Sequence, residues 1–396
     1  MRVGHVLYAL TAGGMERGVL NIVDGVSPGF RHLIICLTAV DVTSPEVAPR
    51  CEIVELNKAN GNDWRIPGRI AAVAKRARLD ILHARGWPTL LETAIGARLA
   101  GVRGTVYSFH GRTIQELGGI PRRRRWAQRV VVPRYRRIVT LNPRMRQEFA
   151  AECRLPEARI ELIANGVETT RFRPLDGKQQ LRARFGVPGD RFIVGNVARL
   201  DAVKNHILIL RAAKRCAEQG LLPFVLLVGE GPHRAAIEAE IARLGMNSHV
   251  RLYGHSADVP ELLNCLDVYV QASLYEGFSN TLLEAMACGV PVVASDVGGT
   301  ADIVRDGVEG RLFSCGDEIA LAARLMSMGS EPGGRVMGAA GRDLVCKKYS
   351  LRLMVARYEA LYAGLADEAT GPQRQQGRKL GTSTNMRAPW RSTSDV

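Results

Sequence analysis

The chain has 396 residues, of which 46% are hydrophobic and 23% charged, and a formal net charge of +15. This composition excludes a disordered or fibrous protein and leaves room for two or three domains of ordinary size. No apolar run approaches the roughly 18–20 residues that a membrane-spanning helix needs.

In chain order, RVGHVLYAL reads as a buried strand, and the glycine turn TAGGMERG at 11–18 opens the helical pattern MERGVLNIVDGV. The first apolar stretch has no A-x-A-type end, so it is read as a strand and not a signal peptide, which implies a cytoplasmic chain. Strand patterns HLIICLTAV and DILHARG, the helix PTLLETAIGARLAG and the strands VRGTVYSFHG, RIVTLN and RIELIANGV follow. Strands alternating with helices point to a parallel sheet wrapped on both faces. The stretch NGVETTRFRPLDGKQQ, 165–180, breaks the rhythm with Gly, Pro and polar residues and reads as a linker.

The alternation restarts in FIVGNVAR, NHILILRAAKRCAEQ, FVLLVGEG, HRAAIEAEIARLG, VRLYG, VPELLNCL, DVYVQAS, SNTLLEAMACG and VPVVASD, a second doubly wound unit. A long helical pattern, 344–366, ends the folded part. From about Asp367 the chain turns polar and reads as disordered. The expected division is therefore 1–170 and 171–345 for two Rossmann-like domains, 346–366 for a final helix and 367–396 for a tail.

The eight cysteines form no C-x-x-C pair and lie mostly in apolar runs, which fits free buried thiols in a reducing compartment. The segment 121–137, PRRRRWAQRVVVPRYRR, holds eight arginines and no acid. It reads either as a solvated helix face or as a patch for an anionic membrane or a phosphate-bearing acceptor, with Trp126 and Tyr135 favouring an interface. No nucleic-acid module accompanies it, so no nucleic-acid partner is expected.

Ligands of open parallel sheets sit at the carboxyl ends of the strands. Arg199 ends one strand and Lys204 follows just before a helix; two cations beside a helix N-terminus suit a diphosphate. Gly229 and Gly231, in GEGP, allow either close approach to a ligand or a tight turn. In EGFSNTLLEAMACG, Ser279 is a candidate N-cap and Gly289 a helix stop. Glu276 then lies in the loop and Glu284 about one turn inside the helix, both able to accept hydrogen bonds from sugar hydroxyls. Another glycine pair, in DVGGT, ends the next strand. In the first half, Gly13 and Gly14 follow a strand, and His110 ends one, as a packing residue or a site residue.

These pieces in this order resemble the family-4 retaining glycosyltransferases, of GT-B architecture, over about residues 3–365. The resemblance rests on GGMER, His110, NGVETTRFRP, VARLDAVKNH, VGEGP and Glu276-x7-Glu284. It extends to sugar transferases of bacterial exopolysaccharide clusters through GGMERGVLNIV and ARLDAVKNH. It implies an α/β fold of two Rossmann-like domains facing a cleft, with a final helix crossing back to the first. It also implies a UDP-sugar donor and a glycan or lipid-linked acceptor. By the same resemblance Arg199 and Lys204 hold the diphosphate and Glu284 the ribose. Glu276 holds the transferred sugar with the loop from Gly277 through Phe278 and Ser279 to Asn280, and Thr281 and Leu282 complete the donor site. Gly229 and Gly231 approach the donor, Gly13 and Gly14 the donor and acceptor, and His110 lies near the reacting centre. The chain departs from the family at Ala301 and Asp302, where Pro-Glu is common, and at Asn205, where Gly is common.

The expected chemistry is transfer with retention through an oxocarbenium-like state, with the departing phosphate helping to deprotonate the acceptor. No D-x-D follows a strand, so no metal and no other cofactor is expected, the two cations serving in its place. A nucleotide-sugar epimerase and a non-catalytic nucleotide-sugar-binding protein remain as alternatives. A nicotinamide dehydrogenase fits less well, because GEGPHR lacks the last glycine of its fingerprint. The expected location is the cytoplasm, at the inner face of the membrane if the arginine segment binds there.

Overall fold

A computed structural model describes residues 1–11, 13–40, 51–59, 61, 63–111, 119–330 and 333–370. The first sheet is built from β1 (Arg2–Leu7), β2 (Arg31–Cys36), β3 (Cys51–Glu55), β4 (Ile81–Arg85), β5 (Gly104–Phe109), β6 (Arg137–Thr140) and β7 (Ile160–Leu162). The second is built from β8 (Ile193–Val197), β9 (Phe224–Val228), β10 (Val250–Gly254), β11 (Val268–Gln271), β12 (Val292–Ser295) and β13 (Gly310–Phe313). Their orders are β3-β2-β1-β4-β5-β6-β7 and β10-β9-β8-β11-β12-β13, and the paired strands run parallel.

Parallel strands joined by helices are covered on both faces, which is why β8, β9, β11 and β12 are mostly apolar and buried along their whole length. In each sheet the order reverses beside the first strand of the half, between β1 and β4 and between β8 and β11. That reversal opens a crevice at the carboxyl ends. The architecture is the expected α/β one of two doubly wound sheets. The sequence reading did not recognise β3, β13, or the helices α2 (Ile66–Arg76), α5 (Pro143–Cys153) and α12 (Glu318–Ser330). The other helices used below are α1 (Gly14–Gly25), α3 (Leu90–Ala100), α4 (Arg122–Val131), α6 (Lys178–Arg184), α7 (His206–Glu218), α10 (Asn280–Ala287), α13 (Gly333–Lys348) and α14 (Leu351–Thr370).

The long helical pattern at 344–366 is not one helix. It breaks at Tyr349 and Ser350, where the chain pairs with the linker: Val167 N–H donates to the Tyr349 carbonyl at 2.8 Å and Leu351 N–H to the Val167 carbonyl at 2.8 Å. The two crossings lie so close that a Cβ on Gly166 would stand 2.7 Å from Leu351 Cα and 2.8 Å from the Ser350 carbonyl oxygen. Tertiary pairing outweighs helical propensity here. α14 then lies on the first sheet, with Met354, Val355, Tyr358, Leu361, Tyr362 and Leu365 packed on Val3, Ile81, Val106 and Val139. It runs to Thr370, so residues 367–370 are helical and not tail; residues 371–396 lie outside the described residues. Among the described residues no helix is long and apolar enough to cross a membrane.

Beneath α14 the sheet carries a buried polar group. His83 hydrogen-bonds the Tyr362 hydroxyl at 2.9 Å and Ser108 at 2.6 Å, and His5 pairs with His32 at 2.9 Å. Arg85, 2% exposed, donates to Tyr358 and to His5 at 3.4 Å each and lies over the Tyr358 ring. Its Nε has no partner, and none of its contacts among the described residues is to an acid. Burial and the Arg85 charge hold His5 and His83 well below the usual histidine range and His32 at about 4.

These rings are neutral in the fold but take a proton near 6.5 once unfolded, so the unfolded chain binds more protons in acid. Their stabilisation is complete above pH 7 and is lost as pH falls through 6.5 towards 4, by up to roughly 2 kcal/mol per ring at pH 5. The melting temperature should therefore drop by several degrees from pH 7 to pH 5 in differential scanning fluorimetry. A flat profile over that range contradicts the assignment.

Candidate functional site: a cleft between two strand-end loops

The loop 276–280 joins β11 to α10 at the carboxyl edge of the second sheet. Ser279 caps α10, its hydroxyl accepting from Leu282 N–H at 3.3 Å, and Gly289, at φ +72°, follows the helix end, both as the sequence indicated. The loop is fixed from behind by 296–299: a Cβ on Gly298, at φ +52°, would meet the Glu276 carbonyl oxygen at 1.7 Å. The DVGG glycines thus serve loop-on-loop packing.

Glu276 is largely buried, and its Oε1 accepts from Lys204 Nζ at 2.5 Å and from the Ser273 hydroxyl at 2.8 Å. Lys204 precedes Asn205, whose φ of +49° lies in the left-handed region. Asparagine tolerates that region better than most side chains, which accounts for its standing where the family often has glycine. Arg199 is exposed, 3.9 Å from Asp201. Glu284 lies one turn inside α10. Burial pushes its carboxyl up to about 7, opposed by the charges of Arg171 and of Arg17 in the first turn of α1.

The structure brings Arg199, Lys204, Glu276 and Glu284 to one edge but redirects other candidates. Leu282 is fully buried in the second core with its N–H taken by Ser279, and the Thr281 hydroxyl is bonded to Tyr269 at 2.9 Å. Phe278 packs on the cores of both domains and against Tyr349. Gly229, at φ +140°, and Gly231 are explained by close approach to the loop after β8, since a Cβ on them would meet the carbonyl oxygens of Ala198 at 2.0 Å and Leu200 at 2.3 Å.

First-domain loops close the cleft. A Cβ on Gly277 would lie 2.9 Å from the His110 carbonyl oxygen, and one on Gly111 would lie 3.3 Å from Gly277 Cα. His110 is held neutral, its pKa lowered to about 3 by burial and by Arg85, and its Nε2 has no partner among the described residues. Asn280 Nδ2 donates to the Gly14 carbonyl at 3.3 Å, and Asn165 Nδ2 donates to Asn280 Oδ1 at 2.9 Å. Gly13 adjoins its own Glu16 side chain. Asn142 Nδ2 donates to the Gly277 carbonyl at 2.7 Å, and Arg144 N–H to Asp302 at 3.3 Å. Sequence reasoning missed Asn142 and Ser273, and it gave no role to Arg17 within GGMER or to Asn165 and Arg171 within NGVETTRFRP. Only the helix-capping character of the asparagine before Pro143 was visible locally.

Two family models match the chain, "Glycosyltransferase Family 4" over residues 12–171 and "Glycosyl transferases group 1" over 177–339. EpsF of Bacillus subtilis (strain 168), named as a glycosyltransferase, is 32% identical over 74% of this chain and 79% of its own. The chain belongs to the family-4 glycosyltransferases. A second relative is the Escherichia coli UDP-Gal:alpha-D-GlcNAc-diphosphoundecaprenol alpha-1,3-galactosyltransferase, 25% identical over 73% of this chain and 76% of its own. The family's GT-B fold is matched by a Rickettsia africae glycosyltransferase at TM-score 0.81 and 20% identity, covering 92% of this chain and 98% of that one. Anabaena Alr3699/HepE, solved with UDP and glucose, superposes at TM-score 0.80 and 21% identity, covering 92% and 100%.

Because the folded carboxyl of Glu284 titrates near 7 and not 4.5, its ionisation opposes folding as pH rises between those values. Glu284→Gln should match the wild type in stability at pH 4 and exceed it by about 1–3 kcal/mol at pH 8. Urea denaturation at the two pH values measures this; equal stability at pH 8 would refute the buried environment.

Proposed function

We propose that the chain transfers a sugar from a UDP-sugar to a glycan or lipid-linked acceptor with retention of configuration, in exopolysaccharide assembly. The observation that carries this reading is the group Lys204–Glu276–Ser273 beside exposed Arg199, at the strand edge that also presents Glu284. The kinship with a transferase named for UDP-Gal and a diphosphoundecaprenol-linked sugar supports the donor and acceptor classes.

In this reading Lys204 and Arg199 take the donor diphosphate, two cations against its charge, with no metal required. Lys204 gives up its pairing with Glu276 as phosphate enters, and the Glu276 carboxylate is released to accept from sugar hydroxyls. Glu284 accepts from the ribose. The leaving phosphate, stabilised by the same cations, removes the acceptor proton. The His110–Gly111 strand end against Gly277 keeps water from the reacting carbon.

The arginine segment supports a contact of the first domain with anionic membrane, at the inner face of the cytoplasmic membrane. On α4, Arg122, Arg123 and Arg125 are exposed and Trp126 is 68% exposed. The structure narrows the patch. Tyr135, expected at the interface, is buried with its hydroxyl on the Leu90 carbonyl at 2.7 Å. Arg124 lies over the Trp87 ring, and Arg137 is paired with Glu161 at 3.2 Å.

Lys204→Ala and Glu284→Ala should each weaken UDP-sugar binding at least about tenfold, the loss of roughly 1.4 kcal/mol, with an unchanged circular dichroism spectrum. Wild-type affinity in both, measured by calorimetry, removes the site assignment. Reversing Arg122, Arg123 and Arg125 to Glu should abolish co-sedimentation with phosphatidylglycerol vesicles. Equal sedimentation of variant and wild type removes the membrane contact.

A further inference from the structure

Where the strand order of the second sheet reverses, a side chain ties β8 to β11. Asn196 of β8, 3% exposed, donates from Nδ2 to the Val270 carbonyl of β11 at 2.7 Å. That bond fixes the amide, so Oδ1 is the atom that faces His206 Nε2 at 3.1 Å, and the imidazole nitrogen donates. His206, 2% exposed, is the first residue of α7. Burial first, and then the charge of Lys204, lowers its pKa to about 4, so the ring is neutral. With the proton on Nε2, Nδ1 is a bare acceptor, and it has no partner among the described residues. A position that only fills a core takes an apolar side chain; a buried amide–imidazole pair supplies direction as well as volume.

That direction leads to the site. Asn205, in the left-handed region, turns the chain sharply between Lys204 and His206. The turn before it, Ala202–Lys204, is capped by Asp201 and bound from outside by Leu274, whose N–H donates to the Val203 carbonyl at 2.8 Å. Lys204 Nζ then donates to Glu276, in the loop that follows β11. The bonds close a ring that runs from Val270 through Asn196, His206, Lys204 and Glu276 and back along the chain to Val270. Within it the backbone at Lys204 is held on one side by Leu274 and on the other, through His206, by β8, while its side chain can still rotate. We propose that His206, through Asn196, is a positioning residue for the diphosphate-binding cation: it anchors the backbone beside Lys204, so that the ammonium passes from Glu276 to phosphate by rotation of its own side chain. The inference rests on the proposed donor and adds to it a residue with no role in that reading. A cation on an anchored turn loses less conformational freedom on meeting phosphate than one on a loose turn, and the difference appears as affinity.

The test asks whether His206 acts through Lys204. His206→Gln brings an amide N–H close to the place of Nε2, whereas His206→Asn is shorter by a methylene and stops short of Asn196. Asn196→Ser breaks the same tie from the strand. Full-length wild type, these variants, Lys204→Ala and the double variant His206→Asn/Lys204→Ala are titrated calorimetrically with UDP and with UMP, which lacks the β-phosphate. UDP should weaken about fivefold or more in His206→Asn and in Asn196→Ser, with UMP unchanged and with His206→Gln close to wild type. In the Lys204→Ala background His206→Asn should cost UDP nothing further, because the cation it positions is gone. Equal losses of UDP and UMP, or a UDP loss of the same size with and without Lys204, make His206 a structural residue and overturn the inference. An unchanged UDP affinity in both His206→Asn and Asn196→Ser also overturns it, while the wild type's preference for UDP leaves the donor reading intact. Binding of neither nucleotide by the wild type overturns the donor reading and the inference with it.

Discussion

The backbone of Gly277 lies against His110 and Gly111 at a distance that admits no side chain, and the rest of the cleft is arranged to permit that approach. Because all strands of a parallel sheet end on one edge, each domain collects its loops there, and two such edges meet face to face. Contact at this range needs glycine on both sides, and behind it a second tier of glycines at 298 and 299 that lets one loop rest on another. Glu276, Ser279 and Glu284 inherit their positions from this stacking. Backbone contact and amide hydrogen bonds hold the cleft together with one apolar bridge, Phe278, which packs on the cores of both domains.

The parts of the molecule legible in the sequence are those set by local rules. Ser279 caps a helix because of what lies three residues ahead, and Gly289 ends it because only a left-handed residue fits there. Within the second sheet β9 was easy to read because FVLLV is an uninterrupted apolar run, whereas β13, GRLF, is short and carries an arginine. The parts that were hidden depend on distant partners. Asn142 meets Gly277 across 135 residues and Asn165 meets Asn280 across 115, and no periodicity encodes either. The break at Tyr349 and Ser350 interrupts a good helical pattern because Val167 claims those backbone groups. Tyr135 looked like an interface residue among arginines, yet the chain turns it inwards after α4, and burial there pushes its hydroxyl pKa well up.

Arg85 violates the ordinary rule that a buried charge has an acidic partner. Its compensation is diffuse: the hydroxyl and the ring face of Tyr358, and His5. It stands at the end of β4, beside the strand that leads into His110, and its field is one reason that ring stays neutral. Burial first, and then the same charge, keeps His5, His32 and His83 unprotonated beneath α14. One side chain thereby links the packing of the last helix to the electrostatics of the cleft.

That last helix gives the chain an order of assembly. The face of the first sheet that bears His5, His83 and Arg85 is covered by residues 354–365. A ribosome finishes the first sheet about 190 residues before it makes that cover, which at 5–20 residues per second is roughly 10–40 s. During that interval the second domain can complete its own core, while the first waits with an open polar groove. The newborn protein thus becomes whole from the middle outwards: its beginning is finished only by its end, and a chain truncated before Leu351 would leave that groove permanently uncovered.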